Sequence, residues 1–119
     1  MVEIGLRHLA YLGDAVWEIF VRERTILQTP NAGVLHKITT AKVKSGFQAQ
    51  LLEELNEFLT EEEKEIARRG RNLPIPVARR ANQAEYRLAT AFETLIGWWY
   101  YYDKERLQYV LQILENHIK

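Results

Sequence analysis

Over residues 82–102 the chain is apolar on almost every face that a helix would have. Tyr86, Leu88, Ala89, Ala91, Phe92, Leu95, Ile96, Trp98 and Trp99 run round it rather than along one stripe. Such a helix has no side to show to water, so it is stable only at the centre of other elements. The remaining sequence supplies them. Leu6, Leu9, Ala10, Gly13, Val16, Trp17, Phe20 and Val21 recur at helical spacing and predict an amphipathic helix over residues 3–27, ended by Pro30 and Asn31. A second helical zone covers residues 33–58, with a break expected near Ser45 and Gly46. Thr60 with Glu63 has the form of a capping box and opens a short acidic helix that stops at Gly70. Asn82 with Glu85 has the same form ahead of the central helix, and Asp103 stands where it can cap a last one through Leu114. Residues 71–81 carry Pro74 and Pro76, show no periodicity and read as a loop. No two-residue alternation is present, so the expected fold class is all-α: a compact helical bundle, one domain over residues 1–119.

Composition removes several kinds of chemistry. The chain has no cysteine, which excludes disulfides, thiolate metal ligands and cysteine nucleophiles. No basic start followed by an apolar run suggests a signal peptide, and the most apolar stretch, residues 95–102, is too short to cross a bilayer. A cytoplasmic protein with no membrane partner is expected. The formal net charge is zero, yet the charges are segregated. Glu53, Glu54, Glu57, Glu61, Glu62, Glu63 and Glu65 form an acidic block. Arg68, Arg69, Arg71, Arg79, Arg80 and Arg87 follow it, with Lys37, Lys42 and Lys44 earlier. A basic surface can therefore exist beside an acidic one.

Two acids, both expected to be buried, stand where a structural role is hard to supply. Glu93 lies half-way along the central helix, and its neighbours three and four positions away are Ala89, Thr90, Ile96 and Gly97, none a cation. An ionised carboxylate there costs several kcal/mol, on the order of 3–5, unless it is paired or bound to a metal. Asp14 follows Gly13 and Ala10 on the first helix. If the small faces of the two helices meet, Asp14 and Glu93 converge, and a hard cation such as Mg²⁺ suits two carboxylates plus waters. The residues alone leave other readings open. Asp14 after Gly13 has the form of an N-cap, and Glu93 has Arg87 and Arg22 as candidate ion-pair partners. Glu18, one turn after Asp14, reads as a solvated or salt-bridged helix residue.

The motifs around these acids narrow the choice. Leu9-Ala10-Tyr11-Leu12-Gly13-Asp14-Ala15-Val16-Trp17-Glu18 resembles the ribonuclease III signature, centred on Leu-Gly-Asp-Ser/Ala. Thr90-Ala91-Phe92-Glu93-Thr94-Leu95-Ile96-Gly97 resembles that family's second acidic motif. Leu35-His36-Lys37, Gln48-Ala49, Arg69-Gly70-Arg71-Asn72, Asn82 and Tyr86-Arg87 resemble its short branch, mini-ribonuclease III, which lacks a double-stranded-RNA-binding domain. Longer members carry further acids where Arg7, Ala10 and Thr90 stand here, so only Asp14 and Glu93 carry over.

The resemblance implies a metal-dependent endoribonuclease that cuts double-stranded RNA to 5′-phosphate and 3′-hydroxyl ends. Asp14 and Glu93 would hold Mg²⁺, with Mn²⁺ as a substitute, and one metal or two are both open. It further implies a symmetric homodimer and a role in maturing 23S ribosomal RNA precursors. For the duplex itself, A-form RNA is gripped through phosphates and 2′-hydroxyls. Arg68, Arg69, Arg71, Asn72, Arg79, Arg80, Asn82 and Arg87 are the expected RNA-binding set; the competing reading pairs these arginines with the adjacent glutamates. Tyr11, Trp98, Trp99, Tyr100 and Tyr101 are aromatic surface for a dimer or core of the monomer. Two other functions compete with the nuclease: a non-catalytic RNA-binding or ribosome-assembly module of the same fold, and a helical protein-interaction domain.

Overall fold

The computed structural model describes residues 3–118, without the side chains of residues 78–80. Six α-helices run in the order α1 (Leu6–Thr25), α2 (Ala32–Val43), α3 (Ser45–Leu55), α4 (Glu61–Arg71), α5 (Gln83–Tyr102) and α6 (Lys104–Leu114), joined by short connections and three 3₁₀ segments. No strand occurs among the described residues. The all-α expectation holds, and α5 is the axis, packed against α1, α3, α4 and α6. Its residues Ala89 to Phe92, Thr94 to Gly97 and Trp99 are buried, as an all-round apolar helix requires.

The core joins Trp17, Phe20 and Val21 of α1 to Leu51 and Leu55 of α3, Phe92, Leu95, Ile96 and Trp99 of α5, and Leu107, Val110 and Leu114 of α6. Burial of each such large side chain contributes roughly 1.5–3 kcal/mol. Trp17 meets Phe92 edge-on at 5.0 Å, and its indole N–H donates to the Lys42 carbonyl at 2.9 Å, tying the end of α2 to α1.

Several expected boundaries move for local reasons. The break near Ser45 is real: Lys44 is extended, with ψ 158°, and separates α2 from α3. Asn31 does not close α1, which ends at Thr25; it opens α2 by accepting the Val34 N–H at 2.9 Å. Asp103 caps α6 by accepting the Arg106 N–H at 3.1 Å. Asn82 makes no such capping bond, because residues 77–82 form a 3₁₀ turn that leads straight into α5. Gly70 is not a helix terminator either. It is helical, and no described residue has a left-handed backbone. Its role is close approach, since a Cβ there would stand 2.8 Å from Thr94 Oγ1 on α5.

The capping box of α4 does more than start a helix. Thr60 accepts the Glu63 N–H at 3.1 Å and Glu63 Oε1 accepts the Thr60 N–H at 2.9 Å. Glu63 is also buried, at 4% exposure, where it accepts the Trp99 indole N–H at 2.8 Å and a two-pronged bond from Arg106 at 2.8 and 2.9 Å. One carboxylate therefore joins α4, α5 and α6. Burial pushes its pKa up, but Arg106, the Thr60 amide and Trp99 together hold it below the ordinary range.

Candidate active site

Where α1 crosses α5, the two backbones touch through reciprocal glycines. A Cβ on Gly13 would lie 1.8 Å from the Glu93 carbonyl oxygen, and a Cβ on Gly97 would lie 1.8 Å from that of Leu9. No side chain fits at either position, so the pair fixes how closely and at what register the helices meet. Asp14 follows Gly13, and Glu93 stands one helical turn before Gly97. The crossing thus delivers the two carboxylates to one another, close enough for the Asp14 charge to act on Glu93.

They face an open cleft of about 610 Å³ lined by α1, the α2–α3 junction and the first half of α5. Asp14 is exposed at its mouth, contrary to the expectation of two buried acids, whereas Glu93 is half-buried deeper in. The reason is their position on the crossing. Asp14 is on the solvent side of α1, and Glu93 on the helix that everything else covers. Burial, reinforced by the hydrogen bond to Asp14 and its charge, pushes the Glu93 carboxyl up to about 9; Glu18 adds to this and Gln48 opposes it. At neutral pH the pair therefore holds a proton.

The structural alternatives for these acids fall away. Asp14 sits inside α1 and is no N-cap. Among the described residues neither acid forms an ion pair. Arg22 is bonded to Glu18 at 2.8 Å, and Arg87 donates to the Arg71 carbonyl at 2.9 Å. Two oxygen-donor carboxylates with no ion-pair partner among the described residues fit a hard divalent ion, and the buried amide N–H of Gln48, which has no hydrogen-bond partner, shares their cleft.

The expected RNA-binding residues do not share one face. Arg68, Arg69 and Arg71 lie in the last turn of α4, where each step turns by about 100°. Arg68 and Arg71 border a groove with Leu52 and Asn56, while Arg69 borders another with Leu6 and Trp98. Arg68 is paired with Glu65, Arg69 and Arg71 are exposed, and Asn72 is the exposed C-cap of α4. Arg87 is half-buried and clamps residues 71–73; of the described members of the set, only Asn82 lines the carboxylate cleft. The side chains of Arg79 and Arg80 lie outside the described residues. Of the aromatics, Trp99 is core and hydrogen-bonded to Glu63, Trp98 is half-buried, and Tyr11, Tyr100 and Tyr101 are exposed.

The cleft also contains residues that the sequence reading left aside or gave another role. Arg7 lines it and donates from α1 to the Pro74 carbonyl at 2.9 Å, which ties the loop after α4 to α1. Lys44, Gln48 and Glu85 line it as well. Glu85 had a legible signal: with Ala89 and Glu93 it recurs every four residues, which keeps one stripe of a helix.

The raised Glu93 carboxyl sets a pH test on metal-free protein. A folded-state pKa above the unfolded value contributes stability that is complete below about pH 4.5 and is lost as pH rises through about 9. Glu93→Gln, neutral throughout, should match the wild type in acid and melt progressively higher above it. At pH 7 the gain should be on the order of 2 kcal/mol, or roughly 5 °C or more. Parallel melting curves from pH 4 to 9 in chelator would contradict the assignment.

Comparison with known proteins agrees with this arrangement. The Ribonuclease III domain model matches residues 7–104. The chain is 46% identical over 113 residues to the Mini-ribonuclease 3 of Gloeobacter violaceus, covering 95% of this chain and 84% of the relative. It is 40% identical over 112 residues to the Mini-ribonuclease 3 of Clostridium tetani, covering 91% and 74%. A crystallised Fusobacterium nucleatum protein superposes with a TM-score of 0.83 at 32% identity, covering 97% of this chain and 95% of that one. No described helix is long and apolar enough to cross a membrane. With both acidic motifs inside the matched span and meeting at one crossing, the chain belongs to the ribonuclease III family of endoribonucleases.

Proposed function

We propose that this endoribonuclease cleaves double-stranded RNA at the Asp14–Glu93 cleft, with Mg²⁺, or Mn²⁺ in its place, held by those two carboxylates. One observation carries the reading: the Gly13–Gly97 crossing sets together two acids that have no ion-pair partner among the described residues. Family membership implies a divalent metal, and its chemistry in such a site is Lewis acidity at a scissile phosphate. The chain's own contribution is positioning. Asp14 and Glu93 present oxygen donors from two helices whose spacing is fixed by backbone contact, so the donors are held in register before substrate arrives. Arg7 ties the 72–76 loop to α1, and Arg7, Lys44 and Asn82 line the cleft, within the region that a phosphate backbone would enter.

The natural substrate we infer is a precursor of 23S ribosomal RNA, cut to 5′-phosphate and 3′-hydroxyl ends by a homodimer with one site per subunit. The ground for this reading is the resemblance of the sequence motifs to mini-ribonuclease III, and the exposed Tyr11, Tyr100 and Tyr101 supply apolar surface for the partner copy. A monomer in sedimentation at micromolar concentration would remove the dimer from it.

The test is cleavage of a labelled RNA duplex, and of an authentic ribosomal precursor, with and without Mg²⁺. Asp14→Asn and Glu93→Gln should each lose roughly 100-fold or more in rate. Glu93→Gln is the sharper variant, because the same substitution is expected to raise metal-free stability, and lost cleavage cannot then be lost folding. Wild-type protein that binds both RNAs and leaves them intact would favour a binding module instead.

Duplex affinity supplies a second check. Arg69 and Arg71 are exposed and form no ion pair among the described residues. Their joint replacement by alanine should weaken binding and lower the log–log salt slope by roughly one to two. An unchanged slope would remove them from the RNA contact.

A further inference from the structure

Gln48 is the residue whose placement fold stability does not explain. It sits at the fourth position of α3, at 2% exposure, beside the core residues Ala49 and Leu51. Its Nε2 is fully buried and has no hydrogen-bond partner. An amide N–H left in that state costs about 1–3 kcal/mol, which an apolar side chain of the same size would avoid. Gln48 lines the carboxylate cleft together with Glu93, and its amide opposes the upward push of burial on the Glu93 carboxyl. Two other polar groups of the cleft lining are committed elsewhere. Thr90 donates to the Tyr86 carbonyl at 2.9 Å, and Arg7 to that of Pro74.

Resting on the carboxylate reading above, we propose that Gln48 is a positioning residue for Glu93. Its buried N–H donates to one carboxylate oxygen and so fixes which oxygen is free for the divalent ion. Glu93 needs such a guide more than Asp14 does. Asp14 is presented by the backbone contact at the adjacent Gly13, whereas Glu93 has a longer side chain with one more rotatable bond and no ion-pair partner among the described residues to orient it. An amide is also the suitable donor. It favours the charged carboxylate without adding a positive charge that would compete with the metal. Hydrogen bonds that orient a metal-ligating side chain are commonly worth about 10–100-fold in metal affinity.

Calorimetric titration of the purified full chain with Mn²⁺ alone tests this, using Gln48→Leu, Gln48→Met and Glu93→Gln beside the wild type. Both Gln48 variants should bind Mn²⁺ about 10–100-fold more weakly while melting, metal-free, at or above the wild-type temperature. Duplex affinity in the absence of metal should not move. Wild-type Mn²⁺ affinity in either folded variant would overturn the proposal, and unfolding of both would do so too, by assigning the amide to packing. If the wild type binds no Mn²⁺, or Glu93→Gln binds it undiminished, the carboxylate site itself fails. If Glu93→Gln loses binding and the Gln48 variants keep it, only the role of Gln48 fails.

Discussion

Gly13→Ala should lose about 3–5 kcal/mol of folding stability and, in the molecules that still fold, nearly all cleavage. The two effects have one cause. An added Cβ would stand 1.8 Å from the Glu93 carbonyl oxygen and 2.8 Å from the Gly97 nitrogen. Both neighbours are backbone atoms of the most buried helix, so neither can swing aside as a side chain end would. Relief requires α1 and α5 to part by more than about 1 Å, which opens close-packed core on either side of the crossing. Alanine's better helix propensity offsets only about 1 kcal/mol of this. The same movement carries Asp14 away from Glu93, and misplacement on the order of 1 Å is enough to cost about 100-fold in a positioned site. Gly97→Ala, which meets the Leu9 carbonyl at the same 1.8 Å, should behave alike. Gly46→Ala is the control. It is helical, its new Cβ would find nothing nearer than 3.5 Å, and its stability should be unchanged or slightly higher. Urea unfolding midpoints and duplex cleavage at equal folded concentration decide the matter. A Gly13→Ala protein with wild-type midpoint and rate would mean that the crossing is looser than described.

That crossing was legible in the sequence because it is local twice over. Small residues flank Asp14 on one helix and Glu93 on the other, and each pattern reads without knowing the partner. The all-round apolar character of α5 likewise announced its central place. What was illegible depends on long-range partners. Trp98 and Trp99 are the same residue type, adjacent, yet one step of about 100° puts Trp99 in the core and leaves Trp98 at its edge. Arg87 looked like a free cation for RNA, but its guanidinium is taken up by carbonyls of a loop that has few other partners. Arg7, noted only where longer relatives have an acid, proves to tie that loop to α1. Asp14 was expected to be buried because helical periodicity shows which residues share a face, not how deep a cleft cuts into it.

Glu63 is the plainest case, and it yields the second large effect. In the sequence it is one of seven glutamates in thirteen residues, with nothing but a capping-box spacing to mark it. Its burial is decided by Trp99 and Arg106, 36 and 43 residues further on. Glu63→Ala should cost about 3–5 kcal/mol, because it strands a buried indole N–H and the guanidinium of a largely buried Arg106. The lower half of that range is favoured by geometry, since Arg106 keeps its bond to the Phe58 carbonyl at 2.6 Å and retains some access to water. The sign of the pH dependence is opposite to that of Glu93. A carboxyl held below its ordinary value contributes stability above about pH 4.5 and loses it as pH falls through the lowered folded value, so the gap between variant and wild type should close in acid. Arg106→Ala combined with Glu63→Ala should cost clearly less than the two separate losses added, because the second removal takes away a charge already unpaired. Additive losses would show that the pair is not coupled. Glu63 is absent from the cleft lining, so Glu63→Ala should cleave normally per folded molecule where Gly13→Ala should not. Two substitutions of similar thermodynamic cost thus separate what holds the bundle together from what holds the two carboxylates in place.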